Sequence, residues 1–334
     1  MAELRSVLKE QVGPGVLDFG AAMFEYFENQ PDSNKAVGFS SWKTAVSERF
    51  VFFFRPESRA EEDADFIAAS CEEALSAILS TLDMEHEVAR NQERLHFARP
   101  DQTIGVQDVP SAGRIAVYLH PARSSGGDKL KKSLGGMTFG ATILQEGPEK
   151  GAGRLTARID ALYLNPLFLS VLHHEIAHAA LFLGSFDATA LSAKALQGES
   201  DLRKAFFAGY KAIPPFLQEG VGDCLFYYQV IYPRWPLLPS PREMTRELAG
   251  SKGLIPLVKL LKEGSAFRSQ RRKAYSLQAA TVIDYVFREY GPAKLKAWLL
   301  SPVKDGVKSF ENIYGLAVED FESRWKASLL GEQE

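Results

Sequence analysis

Three of the chain's six histidines fall in one apolar stretch, Leu169-Ser170-Val171-Leu172-His173-His174-Glu175-Ile176-Ala177-His178-Ala179-Ala180. Within it stands the pattern H-E-x-x-H, written by His174, Glu175 and His178. On an α-helix, residues four apart share a face, so both imidazoles project from neighbouring turns in the same direction. Two neutral ring nitrogens so placed can hold one Zn²⁺ per chain. Glu175 follows the first histidine and lies beside the metal rather than on it. There a carboxylate can take a proton from a zinc-activated water.

The segment has the marks of a helix. Asn165 suits an N-cap and Pro166 the first helical position. Leu169, Leu172, Ile176, Ala180 and Leu183 recur at helical spacing, and Gly184 is a plausible stop. The competing reading is a core helix carrying the motif by chance. A second helix is expected from Pro214-Pro215, and it carries Glu219 and Asp223 four apart. Two carboxylates on one face of an apolar helix need partners, and a zinc ion with its histidines would supply them. Glu219 is therefore the expected third ligand, against the competing reading of an exposed acidic stripe. Asp223 is the expected acceptor for a histidine N–H, fixing its tautomer. Gly220 and Gly222 weaken this helix unless another group must approach its backbone closely.

The elements that must position these residues read as an α/β layer followed by helices. Residues 1–45 are expected to form an N-terminal helical extension, with Leu17, Phe19, Phe24 and Phe27 on one face. Residues 46–184 are expected to form an α/β subdomain ending in the H-E-x-x-H helix. Phe50–Phe54 reads as a strand buried on both faces, ended by Pro56. Ser58 and Glu61 make a capping box before a helix with Ile67, Cys71, Leu75, Ile78 and Leu82 inside. After a polar stretch from about 85 to 112, Ile115–Leu119 is a second strand, and Met137–Leu144 and Arg154–Leu162 are two more. The last of these leads into the zinc helix and reads either as an ordinary sheet edge or as a strand able to pair with an extended peptide. Residues 185–334 are expected to form a helical subdomain carrying the third ligand. In it, Ser251–Lys262 reads as a helix, the basic run 267–273 as a solvated loop, and Tyr275 as the start of a helix broken at Gly291-Pro292. Phe321 and Trp325 mark a final helix.

Composition narrows the class. The chain has 334 residues, 46% of them apolar and 24% charged, with a net charge of −3, and its pI is near 6.1. These values offer no general attraction to nucleic acid or to an anionic membrane. Two cysteines, Cys71 and Cys224, exclude a disulfide framework and read as buried free thiols. No apolar run reaches the length of a membrane span. The N-terminus lacks the continuous apolar core of a signal peptide, so the chain as given is expected in the cytoplasm, with an exported protein lacking its signal as the alternative.

The motifs together resemble the gluzincins, zinc peptidases of the thermolysin and aminopeptidase type, and are closest to the peptidase-MA-like group of bacterial sequences. The resemblance rests on His174-Glu175-Ile176-Ala177-His178, on Leu217-Gln218-Glu219-Gly220, on Tyr275 before a helix ending Arg288-Glu289-Tyr290-Gly291, and on Ile313–Leu316 through to Trp325. It implies an α+β zincin (thermolysin-like) fold, a small mixed β-sheet with the active-site helix followed by a mostly helical C-terminal subdomain. By that resemblance His174, His178 and Glu219 bind zinc, Glu175 is the general base, Asp223 orients a ligand histidine, and Tyr275 stabilises the oxyanion. Two departures stand out. Forty residues separate His178 from Glu219, so 185–213 reads as an insertion near the cleft and leaves Glu199 and Asp201 as lesser candidates for the third ligand. Thr138, in Gly135-Gly136-Met137-Thr138-Phe139, replaces the glutamate with which aminopeptidases bind a free amine. The reading is therefore a zinc-dependent peptidase acting on a peptide or protein substrate, with an endopeptidase or narrow specificity favoured. The alternatives are a catalytically inactive zincin-fold binding protein and a zinc amidohydrolase acting on a non-peptide amide.

Overall fold

The run Phe50-Val51-Phe52-Phe53-Phe54 seeds a five-stranded mixed sheet, because alternate residues of a strand face opposite sides and here both sides carry apolar groups. The computed structural model describes residues 42–94, 114–121, 136–145, 153–163, 168–186, 208–225, 240–251, 253–301, 303 and 305–331. The strands are β1 (Lys43–Val46), β2 (Phe50–Phe54), β3 (Ile115–His120), β4 (Gly136–Gln145) and β5 (Gly153–Leu162), in the order β1-β2-β3-β5-β4. The three central strands β2, β3 and β5 are parallel, and β1 and β4 pair antiparallel at the two edges. Strand β1 begins inside the segment read as a helical extension, and the apolar face expected from Leu17 to Phe27 lies outside the described residues. The expected strand before the H-E-x-x-H helix, β5, is not an edge. It is paired on both sides, and the edge beside it is β4.

One face of the sheet is apolar: Phe50, Phe52, Phe54, Ile115, Val117, Leu119, Ala157, Ile159 and Ala161 are all buried in the core. Onto the core pack α1 (Arg59–Glu62), α2 (Ala64–Leu82), α3 (Glu85–Arg94) and α4 (Leu169–Gly184), the H-E-x-x-H helix. The Ser58 hydroxyl accepts from Glu61 N–H, as in a capping box, but the Glu61 carboxylate turns back to Glu57 N–H and to Lys43. The expected stripe of α2 is buried in full, including the Cys71 thiol, whose pKa burial raises. Helix α3 falls in the stretch read as merely polar. It earns its place through Val88 and Asn91, since the buried Asn91 amide donates to the carbonyls of Leu183 and Phe186 at 2.6 and 2.9 Å and so closes the C-terminus of α4. Gly184 is the last residue of α4, and the thioether of Met84 occupies the space a side chain there would need. The expected cap at Asn165 and Pro166 lies outside the described residues.

The remaining helices are α5 (Pro215–Leu225), α6 (Pro241–Gly250), α7 (Leu257–Gln270), α8 (Arg272–Leu299), α9 (Gly306–Tyr314) and α10 (Val318–Leu330). The helix read over 251–262 starts only at Leu257, because Pro256 cannot sit inside it, and its first N–H is held by the Glu322 carboxylate at 2.8 Å. A separate helix, α6, precedes it behind a full Ser240–Glu243 capping box. The basic run is helical in its backbone rather than a loop, apart from Arg271, where α7 gives way to α8. Helix α8 kinks at Gly291, whose φ of +80° only glycine adopts cheaply, followed by Pro292. Trp298, Phe310, Tyr314, Phe321 and Trp325 then close the helical half as an aromatic cluster. Among the described residues no helix is long and apolar enough to cross a membrane.

Candidate metal centre

Helix α4 is buried along nearly its whole length, so its polar side chains must find partners on neighbouring elements. They do so in three directions. His173 points to α2, where its Nε2 lies 3.1 Å from the Ser70 hydroxyl. His174 points to α5. His178 points to a helical turn at 208–212. Of the three histidines of α4, His173 is thus a packing residue, and the other two form the site.

The Nε2 atoms of His174 and His178 face each other at 3.0 Å. The two carboxylate oxygens of Glu219 close the group, Oε2 lying 3.8 Å from His174 Nε2 and Oε1 3.8 Å from His178 Nε2. A tetrahedral ion with N and O ligands at 2.0–2.1 Å separates its ligand atoms by about 3.3 Å, and the observed spacings bracket that value. One ligand atom from each residue lies within 4.8 Å of the others. His174, His178 and Glu219 therefore fit a single metal ion. Glu175 is buried on the same turn of α4. The lesser candidates Glu199 and Asp201 lie outside the described residues.

Two glycines explain how the ligand helices come this close. A Cβ at Gly222 would stand 2.7 Å from His174 Cε1 and 2.8 Å from its Nδ1, so the imidazole lies flat against bare backbone of α5. A Cβ at Gly220 would meet Ile283 at 2.9 Å and the Ala279 carbonyl at 3.0 Å, so the adjoining face of α5 is pressed onto α8. Their cost in helix propensity is offset by these approaches.

The outer nitrogens are also engaged. His174 Nδ1 lies 3.3 Å from Asp223 Oδ1, and Asp223 Oδ2 is buried with no hydrogen-bond partner among the described residues. Burial disfavours a charged His174, but Asp223, by hydrogen bond and by charge, with Glu175 and Glu219, outweighs it and lifts the pKa to about 9. A proton and a metal ion accordingly compete for the point between the two Nε2 atoms. On the second histidine, His178 Nδ1 lies 3.1 Å from the hydroxyl of Tyr210. Sequence reasoning missed Tyr210, since no motif spacing links it to the histidines.

Tyr275, the expected oxyanion donor, lies on the helix packed against α5. It is fully buried on α8, its ring edge-on at 5.7 Å to Phe216, which stands three residues before Glu219 on α5. Comparison with protein-family models, with curated protein sequences and with solved structures returned no match.

Proposed function

We propose that this protein is a zinc-dependent peptidase of the gluzincin type with a zincin fold, hydrolysing a peptide bond at the His174–His178–Glu219 centre. The observation that carries the reading is the convergence of two Nε2 atoms and one carboxylate from two helices, with Asp223 and the Tyr210 hydroxyl beside the outer nitrogens of the two histidines. A zinc ion held there supplies Lewis acidity toward a carbonyl and lowers the pKa of a water toward about 7.

The chain's own residues divide the remaining work. Glu175 receives the water's proton and returns it to the leaving amine. Asp223 and Tyr210 hold the rings that present Nε2. Strand β4 supplies an edge beside α4: among the described residues its one hydrogen-bonded neighbour is β5, and an extended peptide can add to such an edge by backbone hydrogen bonds. Thr138 on that strand brings no carboxylate for a free amine, which favours internal cleavage or a narrow specificity.

The test measures zinc per chain in the wild type and in Glu219→Ala, then screens a peptide library with the wild type and Glu175→Gln. One zinc in the wild type, lost in Glu219→Ala, is the expected result, with cleavage present in the wild type and reduced at least 100-fold in a zinc-loaded Glu175→Gln. A folded wild type that takes up no zinc, or a Glu175→Gln variant of full activity, overturns the reading.

A further inference from the structure

The described end of the 185–213 segment is fastened to both ligand helices. Gly209 lies against the last turn of α4 so closely that any side chain there would run into the Ser185 carbonyl. The Gln218 amide, next to the ligand Glu219, donates to the carbonyls of Tyr210 and Ile213 at 3.0 and 2.8 Å. The Tyr210 ring stands edge-on to Phe182, with centroids 5.9 Å apart, and to His178 at 6.4 Å. These contacts leave its hydroxyl 3.1 Å from His178 Nδ1.

An imidazole can offer Nε2 to a metal only if its proton sits on Nδ1, and that tautomer is favoured by an acceptor at Nδ1. Asp223 plays this part for His174. We propose that Tyr210 is the corresponding positioning residue for His178: its phenol oxygen accepts the Nδ1–H, and segment 208–213 is the brace that carries it to the metal centre. This rests on the metal reading above. The two acceptors differ in kind. A carboxylate strengthens its histidine's donation to the ion, whereas a neutral phenol fixes the ring without adding charge, so the ion keeps more of its electrophilicity.

The experiment measures zinc affinity by competition with a chromophoric chelator, and the visible absorption spectrum of the Co²⁺-loaded protein, for the wild type, Tyr210→Phe, Gly209→Ala and Glu219→Ala. Melting in excess chelator checks that each variant is folded. Tyr210→Phe keeps the ring and removes only the hydroxyl. It is expected to bind zinc 10- to 100-fold more weakly and to shift the cobalt bands while its melting temperature in chelator stays near the wild type's. Gly209→Ala keeps the hydroxyl and lifts the brace from α4, so the same loss is expected. A wild type that binds one zinc, beside a Tyr210→Phe variant of equal affinity and identical cobalt spectrum, overturns the role of Tyr210 and leaves the metal reading standing. A wild type that binds no zinc, or a Glu219→Ala variant that binds it unchanged, defeats the metal reading and this proposal with it.

Discussion

Replacing Gly222 by alanine sets two physical arguments against each other. By helix propensity alone the change favours α5 by up to about 1 kcal/mol. By the geometry of the centre it is harmful, because the new Cβ would stand 2.7 Å from His174 Cε1. Carbon atoms reach favourable contact only at about 3.5 Å, so the ring would have to retreat by roughly 0.8 Å. His174 has little freedom to do so. Its Nδ1 is held 3.3 Å from Asp223 and its Nε2 3.0 Å from His178. Metal–ligand distances tolerate deviations of only about 0.2 Å, so the displaced ring loses most of its bond to the ion. Gly222→Ala should weaken zinc binding by about 100-fold, or about 2.8 kcal/mol. Chelator competition reads the affinity, and thermal unfolding in excess chelator reads the helix by itself. The expected pattern is a large loss of affinity without a matching fall in metal-independent stability. Wild-type zinc affinity in Gly222→Ala would refute the reasoning, since His174 could not then lie against α5 as described.

Further outcomes follow from the same contacts. Zinc affinity should rise with pH by up to tenfold per unit between about 6.5 and 9 and then flatten, because His174 must give up a proton held with a pKa of about 9; titrations across that window show the slope. Since the folded pKa lies above the ordinary 6.5, the His174–Asp223 pair stabilises the protein fully below that value and loses its effect as pH rises through about 9. In excess chelator the melting temperature should therefore fall across the window, and Asp223→Asn should flatten the fall. Asn91→Ala should cost about 2 kcal/mol in denaturant unfolding, because it strips two buried carbonyls at the end of α4 of their donor. A midpoint shift near zero would show that water replaces the amide there.

Legibility followed sequence locality. The two histidines are four residues apart on one helix, and Glu219 and Asp223 four apart on another, so helical periodicity alone groups each pair. The glycines between the carboxylates were a usable signal of close approach, and His174 and α8 are what approach them. The strands were visible because Phe50–Phe54 and Ile115–His120 are dense in aromatic and β-branched residues. What escaped depends on contacts distant in sequence. Helix α3 is too polar to declare itself, and its purpose is set by Asn91 reaching carbonyls more than ninety residues away. Strand order is not written in local pattern either, so β5 reads as a possible edge although β4 lies outside it. Tyr210 belongs to the same class, since only the fold decides which tyrosine ends beside His178.

The three histidines of α4 also account for the rigidity that a metal centre needs. Successive residues of a helix are rotated by about 100°, so His173 leaves the helix in a different direction from His174 and His178, which share a face and meet through their Nε2 atoms. One is bonded to α2, one to α5 and one to the turn at 208–212. Rotation of α4 about its axis would pull His173 from α2 on one side and His174 and His178 from α5 and the 208–212 turn on the other, and the Asn91 cap opposes sliding along the axis. Ligand atoms must be held to within about half an ångström for a centre to work, and side-chain packing alone leaves more freedom than that. His173, which contributes no ligand atom, is by this argument part of the reason the other two histidines can.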